Sequence, residues 1–289
     1  MHTHGSSADG GGRTVDQRRE WLTGLSGVVL LLAATVLAVA VGAWKLIGIG
    51  WVAFLSMGAA AAVGARTGSR EPTALVWGSG LASGAMVTSA ALFLLPDAIG
   101  HHPAFGGLGV AVGILGGFSA HAIGHRVTHV GLGVDTTVAQ LTAHAAAAGA
   151  IIGIVYGNMP ELGPLLGVAI VSHKGPAGYA AADRLSRKGR SWLPILVPAA
   201  GVGVVAVLSS VVALPASPAL RGLVFGFATG VFLHVAMDFL PRCELGSEVH
   251  DALAVEGDAH ALLDRLRLHA VGSTVLGGLV VVLAWTVVQ

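Results

Sequence analysis

Charged residues divide the chain into long uncharged intervals, and each interval has the length of a membrane-spanning helix. A helix rises about 1.5 Å per residue, so about 20 apolar residues cross the hydrocarbon core of a bilayer. Five intervals precede residue 161, at 21–44, 46–65, 72–96, 98–125 and 136–160. Four further apolar runs follow, at 162–182, 191–220, 222–241 and 268–289. This pattern predicts nine transmembrane helices.

Composition supports an all-α integral membrane protein. Hydrophobic residues make up 54% of the 289 residues and charged residues only 11%, and the mean hydropathy is +0.78. Soluble domains carry about a quarter charged residues, so a soluble globule is excluded. A net charge of +1 and a single cysteine exclude a nucleic-acid-binding protein and a disulfide scaffold. We predict one transmembrane transporter domain over 21–289, after a loosely ordered cytoplasmic tail over 1–20.

The basic residues set the expected orientation. With the N-terminus in the cytoplasm, thirteen Lys and Arg residues fall on the inner side, only Lys45 and Arg221 fall on the outer side, and Lys174 lies inside a span. Cytoplasmic loops of membrane proteins are enriched in Lys and Arg. We therefore predict a multi-pass protein of the cell membrane with a cytoplasmic N-terminus and an extracellular C-terminus.

Two segments of the chain resemble each other. The third span contains Ser83-Gly84 and ends in Leu-Pro-Asp at 95–97, and the eighth contains Thr229-Gly230 and ends in Leu-Pro-Arg at 240–242. The predicted topology runs them in opposite directions, which is typical of the inverted repeats of secondary transporters.

Small residues recur four positions apart within the predicted helices. The spacing occurs at Gly113/Gly117, Gly149/Gly153 and Gly153/Gly157. In lipid such spacing lets helix backbones approach closely, so we predict tight helix packing at these positions.

Two histidines lie inside the predicted fifth and sixth helices. His144 is about a third of the way along its span and His173 about halfway, so both lie within the hydrocarbon. An imidazole at this depth is costly and favours a functional explanation, and neutral imidazole is a good Zn²⁺ ligand. Pro176 has no N–H and so frees the carbonyl of Ser172 beside His173. We predict a metal site here; the alternative is a pair hydrogen-bonded to helix carbonyls or to each other.

Further candidate metal ligands lie toward the two mouths of the predicted bundle. His234 and Asp238 are one helical turn apart and form either an exit site or an ordinary hydrogen-bonded pair. Asp97 lies at the outer mouth, where it either attracts cations or belongs to a surface loop. A stripe of three histidines lies at the inner end of the fourth helix: His121, His125 and His129. The stripe is either a loop metal site or a solvated face.

These motifs resemble those of the ZIP (Zrt/Irt-like) divalent-metal transporters. In that family two helices carry the metal site as His-Asn-x-Pro-Glu-Gly and His-Lys-x-Pro-Glu-Gly. The second motif is matched here by four residues: His173, Lys174, Pro176 and Gly178. The first motif is matched by His144 and Gly149, and the family's Leu-Pro-Asp helix end occurs at 95–97. The resemblance implies an eight-helix bundle with an inverted repeat, preceded by one extra N-terminal helix.

The departures from the family pattern remove the carboxylates of the site. Alanine replaces Asn, Pro and Glu of the first motif at Ala145, Ala147 and Ala148, and Glu of the second motif at Ala177. Two imidazoles without carboxylates favour one ion over a two-metal centre, with Thr142, Ser172 or water as further ligands. Lys174 would repel a cation if it faced the site.

The resemblance implies transport of a divalent metal ion, Zn²⁺ foremost, into the cytoplasm. No bound cofactor is required, because the metal is the transported substrate, and no enzyme motif is visible. The expected partners are the metal ion, the lipid bilayer and a second copy of the chain in a homodimer, with no nucleic acid. The alternative is a ZIP-fold protein without transport activity that serves as a metal sensor or assembly partner, or a carrier of another small solute.

Overall fold

The computed structural model of the chain describes residues 9–67, 72–127, 135–159, 173–213, 215, 217–240 and 259–288. Within these residues every regular element is a helix, so the predicted all-α class is confirmed. The helices are α1 (Asp9–Ala40), α2 (Trp44–Thr67), α3 (Pro72–Ser89), α4 (Leu95–His101), α5 (Pro103–Val127), α6 (Thr136–Asn158), α7 (Lys174–Arg187), α8 (Leu196–Ser209), α9 (Pro218–Phe239) and α10 (Ala259–Val288). A π-helical turn, Ala90–Leu94, joins α3 to α4, and a 3₁₀ turn, Leu193–Ile195, precedes α8.

Among the residues that the structure describes, six helical stretches are long and apolar enough to cross a membrane. They are Gln17–Ala40, Trp44–Arg66, Val76–His101, Thr136–Asn158, Pro218–Met237 and Asp264–Val287. Two shorter apolar stretches are Pro103–Ser119 and Leu193–Ser209. The predicted sixth span is described only from His173 onward. The structure therefore supports a multi-pass helical protein, and the total of nine spans stays a prediction.

Two helix boundaries differ from the sequence-based prediction because charged residues do not end helices here. α1 begins at Asp9, so helix extends through part of the expected tail. Glu20 lies within α1, where its carboxylate accepts hydrogen bonds from Arg190 Nε at 3.1 Å and Ser191 N at 3.2 Å. Helix also continues past Asp97, which lies within α4. The π-helical turn Ala90–Leu94 precedes α4, and there Leu95 N bonds to Ala90 O, five residues back in the chain.

The helices pack mainly in four pairs: α5 with α9, α3 with α10, α6 with α8, and α2 with α7. Glycines allow these close approaches. A Cβ atom on Gly149 or Gly153 would overlap backbone oxygens of α8, and one on Gly157 would overlap the carbonyl of Ser210, which directly follows α8. A Cβ on Gly113 would overlap the Phe227 carbonyl of α9. The predicted role of the small residues in tight packing is therefore confirmed.

We expect Gly153→Ala to destabilise the bundle by about 2 kcal/mol, because the added methyl group overlaps the Ala206 carbonyl and the α6–α8 contact must open. Gly48→Ala is the matched control, since nothing lies within 4 Å of a Cβ at that position in α2. There the better helix propensity of alanine should stabilise the protein by up to about 1 kcal/mol. Thermal unfolding of the purified variants in detergent measures both effects, and equal shifts would contradict the packing.

The two segments of the predicted repeat are neighbours. α3 packs against α9, and the buried Ser83 Oγ donates a hydrogen bond to Ala236 O at 2.9 Å. Their relation by inversion stays a prediction.

Candidate functional site

His144 and His173 approach each other between α6 and α7. Their Nε2 atoms are 3.1 Å apart, and the ring centroids are 5.3 Å apart with planes at 56°. This separation is within the ~4 Å that two nitrogen ligands of one tetrahedral ion permit. The predicted approach of the two imidazoles is confirmed, whereas metal binding stays a prediction.

The positions at which α6 and α7 begin determine where the two histidines lie. α6 is capped by Asp135, whose side chain accepts a hydrogen bond from Thr137 N at 2.8 Å, and His144 follows about two turns later. α7 starts at Lys174, with His173 as the N-cap residue. Pro176 lies in the first turn of α7, where a missing N–H breaks no helical bond. Ser172 lies outside the described residues.

The histidine pair is enclosed by aromatic and aliphatic groups. His173 is fully buried, and Phe232 of α9 presents an edge-on ring to it, with centroids 5.8 Å apart and planes at 84°. His144 is partly buried. Thr142 is two residues earlier on α6 and so is rotated by about 200° from His144. Its hydroxyl donates a hydrogen bond to Val138 O at 2.7 Å, and its side chain does not share the face of His144.

Lys174 is the most unusual group at this site. It is 0% exposed, and its Nζ has no hydrogen-bond partner among the described residues. Lys174 directly follows His173 in the chain, and repulsion of a cation by its side chain stays a prediction.

Alanine occupies the positions where the resembled motifs carry glutamate. Ala148 is one helical turn after His144, and Ala177 is one turn after His173, so each lies near the face of its histidine. Both alanines are buried, at 2% and 3% exposure. Among the residues that the structure describes, no group of three or more His, Cys, Asp and Glu side chains could hold a metal ion.

The predicted outer-mouth residue Asp97 belongs to a different part of the bundle. It lies on α4 within electrostatic reach of His101. The His101 ring stacks on Phe225 of α9, with centroids 5.6 Å apart and planes at 26°. Phe225 and Phe232 are seven residues apart and so share one face of α9. That face of α9 therefore contacts both His101 and His173.

His234 lies on another face of α9. Two residues correspond to about 200° of rotation, so His234 and Phe232 point in nearly opposite directions. His234 packs on Gly117 of α5, where a Cβ would lie 2.6 Å from His234 Cδ2. His234 therefore does not join the pair formed by His144 and His173. Asp238 lies on α9, with its side chain outside the described part of the structure.

Of the remaining predicted site residues, two glycines pack against neighbouring helices, and the side chains of the three histidines of the stripe are not described. Gly149 packs on Val202 O of α8, and Gly178 packs on Met57 O of α2. His121 and His125 lie on α5, but their side chains are not described, and His129 lies outside the described residues.

A cluster of ion pairs that was not predicted from the sequence lies at one end of the bundle. It connects α1, the residue that caps α6 and the segment that follows α7. Lys188 Nζ donates to Asp135 Oδ2 at 3.0 Å, and Arg190 lies 3.6 Å from the same oxygen while bonding Glu20 at 3.1 Å. Burial opposes ionisation of Asp135, but hydrogen bonds from Lys188 and Thr137 outweigh it and hold the pKa of Asp135 below its usual value. The only signal in the sequence was the position of these charges at the ends of apolar runs.

Comparison with known proteins adds no relative. No protein-family model matches the chain, and no curated protein matches it significantly. The resemblance to ZIP transporters therefore rests on the motifs and their spacing alone.

Proposed function

We propose that the chain carries a divalent metal ion, Zn²⁺ foremost, across the cell membrane into the cytoplasm by ZIP-like alternating access. The observation that carries this proposal is the 3.1 Å separation of the Nε2 atoms of His144 and His173. Two nitrogen ligands at ~2.1 Å from a tetrahedral ion are about 3.4 Å apart, so the rings would need to separate by only a few tenths of an ångström.

The tautomers of the pair differ between the free site and a site that holds a metal ion. A direct Nε2···Nε2 hydrogen bond needs one ring to carry its proton on Nε2. An ion between the rings requires both Nε2 atoms to be deprotonated, which is the form in which neutral imidazole binds Zn²⁺. Metal binding would therefore require the ring that donates in this hydrogen bond to carry its proton on Nδ1 instead of Nε2, with no change in its charge.

The reduced ligand set suits a carrier that must release its substrate. Two imidazoles with water as further ligands bind an ion more weakly than a site completed by carboxylates. Asp97 would lie near the entrance, and His234 with Asp238 would lie along the exit. The ion pairs of Glu20, Asp135 and Arg190 would hold the cytoplasmic end closed between transport steps.

Uptake into vesicles tests the proposal. We expect purified protein in liposomes with an internal fluorescent chelator to take up Zn²⁺ above the rate of protein-free liposomes, with Mn²⁺, Cd²⁺ and Fe²⁺ as alternative substrates. Saturation with rising Zn²⁺ concentration would identify a carrier. Absence of uptake for all four metals would contradict transport and favour the sensor or assembly role.

A further inference from the structure

The cluster of ion pairs formed by Glu20, Asp135, Lys188 and Arg190 presents its cations outward. The side chains of Lys188 and Arg190 are 44% and 40% exposed, whereas those of Asp135 and Glu20 are 8% and 12% exposed. In the described segments 17–22, 135–136 and 183–192, every exposed charged side chain is basic. The surface of this corner of the bundle is therefore cationic, because its carboxylates are more deeply buried than the Lys and Arg side chains that they bind.

The two cations of the cluster flank a single oxygen atom. Lys188 Nζ lies 3.0 Å and Arg190 Nη1 lies 3.6 Å from Asp135 Oδ2, so the two nitrogens are at most about 6.6 Å apart. Two N–H···O⁻ bonds of about 2.8 Å to different oxygens of one phosphate can bridge nitrogens at this separation. One phosphate group can therefore contact both cations.

Both cations keep unused N–H groups, and open space adjoins the segment that carries them. The contacts of Arg190 involve Nε and Nη1, and Lys188 donates to one carboxylate oxygen, whereas a guanidinium has five N–H donors and an ammonium three. Gly189, between the two cations, has a φ of 68°, and nothing lies within 4 Å of a Cβ at that position. The chain itself therefore leaves both donors and room for a ligand at this turn.

This corner lies at the level where apolar stretches of the bundle begin. Each of three stretches begins within three residues of a member of the cluster: Gln17 before Glu20, Thr136 after Asp135, and Leu193 after Arg190. The ends of such stretches lie at the headgroup level of a bilayer. Lipid phosphates lie at the same level, so they are the anions that this corner meets in a membrane.

The part of α1 next to Glu20 is apolar and exposed. Trp21 and Leu22 are 55% and 49% exposed, and Leu25, one turn later, is 41% exposed. Tryptophan is enriched at membrane–water interfaces. A lipid whose acyl chains lie along this surface has its phosphate near the level of Arg190, because Arg190 binds Glu20. Apolar surface beside a pair of cations favours a phospholipid over free phosphate.

We propose that Lys188 and Arg190 form a docking site for the headgroup phosphate of an anionic phospholipid in the leaflet at this end of the bundle. The phosphate oxygens accept hydrogen bonds from unused N–H groups of both side chains, and the acyl chains lie against the exposed residues of α1. The site is independent of the proposed metal transport, because it needs no metal ion. A net negative charge on the lipid is favoured by further exposed arginines in the same segments: Arg18, Arg19 and Arg187.

Native mass spectrometry of the full-length protein in detergent tests the site, with dioleoylphosphatidylglycerol and dioleoylphosphatidylcholine added at equal concentrations. We expect the wild type to bind phosphatidylglycerol about tenfold more tightly than phosphatidylcholine. Two double variants each remove one cation together with an acid that it binds, so that no carboxylate is left unpaired by the change: Asp135→Asn/Lys188→Gln and Glu20→Gln/Arg190→Gln. In each, the preference for phosphatidylglycerol should fall to about threefold or less.

Matched variants separate loss of the site from loss of charge or fold. Asn at position 135 keeps the cap of α6, because Asn and Asp are equally good N-cap residues. Lys188→Arg keeps the cation and should keep the preference. Lys45→Gln removes an exposed cation beyond the far end of α1 and should also leave the preference unchanged.

Several outcomes would overturn the lipid site. They are equal binding of the two lipids by the wild type, an unchanged preference in both folded double variants, and displacement of the lipid by an equal concentration of inorganic phosphate. If the double variants do not fold, wild-type protein decides after cross-linking to a phosphatidylglycerol with a photoreactive headgroup. Cross-links within 18–25 or 185–192 would support the site, and cross-links only elsewhere would overturn it.

Discussion

Replacement of His144 or His173 by alanine should reduce the initial rate of Zn²⁺ uptake about 100-fold at low Zn²⁺ concentration. Each change removes one of the two described imidazoles whose Nε2 atoms meet at 3.1 Å. A factor of 100 corresponds to ~2.7 kcal/mol of lost interaction, which is reasonable for one of two protein ligands to a single ion. The measurement is uptake into liposomes containing matched amounts of each protein.

A control separates the loss of a ligand from the loss of a histidine in general. His269→Gln removes an imidazole on α10 but keeps an oxygen that can accept the hydrogen bond now donated by Trp77 Nε1 at 3.1 Å. This variant should transport at the wild-type rate. Unchanged uptake by both His144→Ala and His173→Ala would show that the histidine pair is structural, in line with the alternative of a hydrogen-bonded pair.

A second readout guards against misfolding of the alanine variants. Co²⁺ is a spectroscopic substitute for Zn²⁺, and its visible absorption bands respond to nitrogen ligation. The bands should weaken in both variants while the thermal unfolding temperature stays near that of the wild type. A large fall in unfolding temperature together with unchanged Co²⁺ bands would attribute the transport defect to stability.

The lengths of the uncharged and apolar intervals were sufficient to predict helices in these parts of the chain, because lipid requires each span to satisfy its own backbone hydrogen bonds. Each predicted interval contains helical residues in the structure. Helix continues past Glu20 and Asp97, the charged residues at which the sequence analysis ended two of the intervals. Glu20 stays within α1 because Arg190, distant in sequence, supplies a partner, and no local pattern predicts such a contact.

The candidate site was only partly predictable for the same reason. Motif spacing predicted that His144 and His173 would be close, since two histidines at similar depth on consecutive helices can face each other. The spacing could not predict that Lys174 would be fully buried without a described hydrogen-bond partner. Nor could it separate His234 from the pair, because that depends on which face of α9 packs on Gly117.

Ala148→Glu should raise the affinity for Zn²⁺ about 100-fold. The new carboxylate would lie one helical turn after His144, on nearly the same face of α6, and could supply both a ligand oxygen and a negative charge. Both effects are large in a buried site, because charges interact strongly where water is excluded. Isothermal titration calorimetry of the purified protein measures the change in dissociation constant.

Ala147→Glu provides the matched control, because it adds the same carboxylate one residue earlier. Position 147 is exposed and is rotated by about 100° from position 148 on α6, so this variant should bind Zn²⁺ as the wild type does. Equal gains from both variants would indicate a non-specific effect of negative charge and would contradict the placement of Ala148 beside the site.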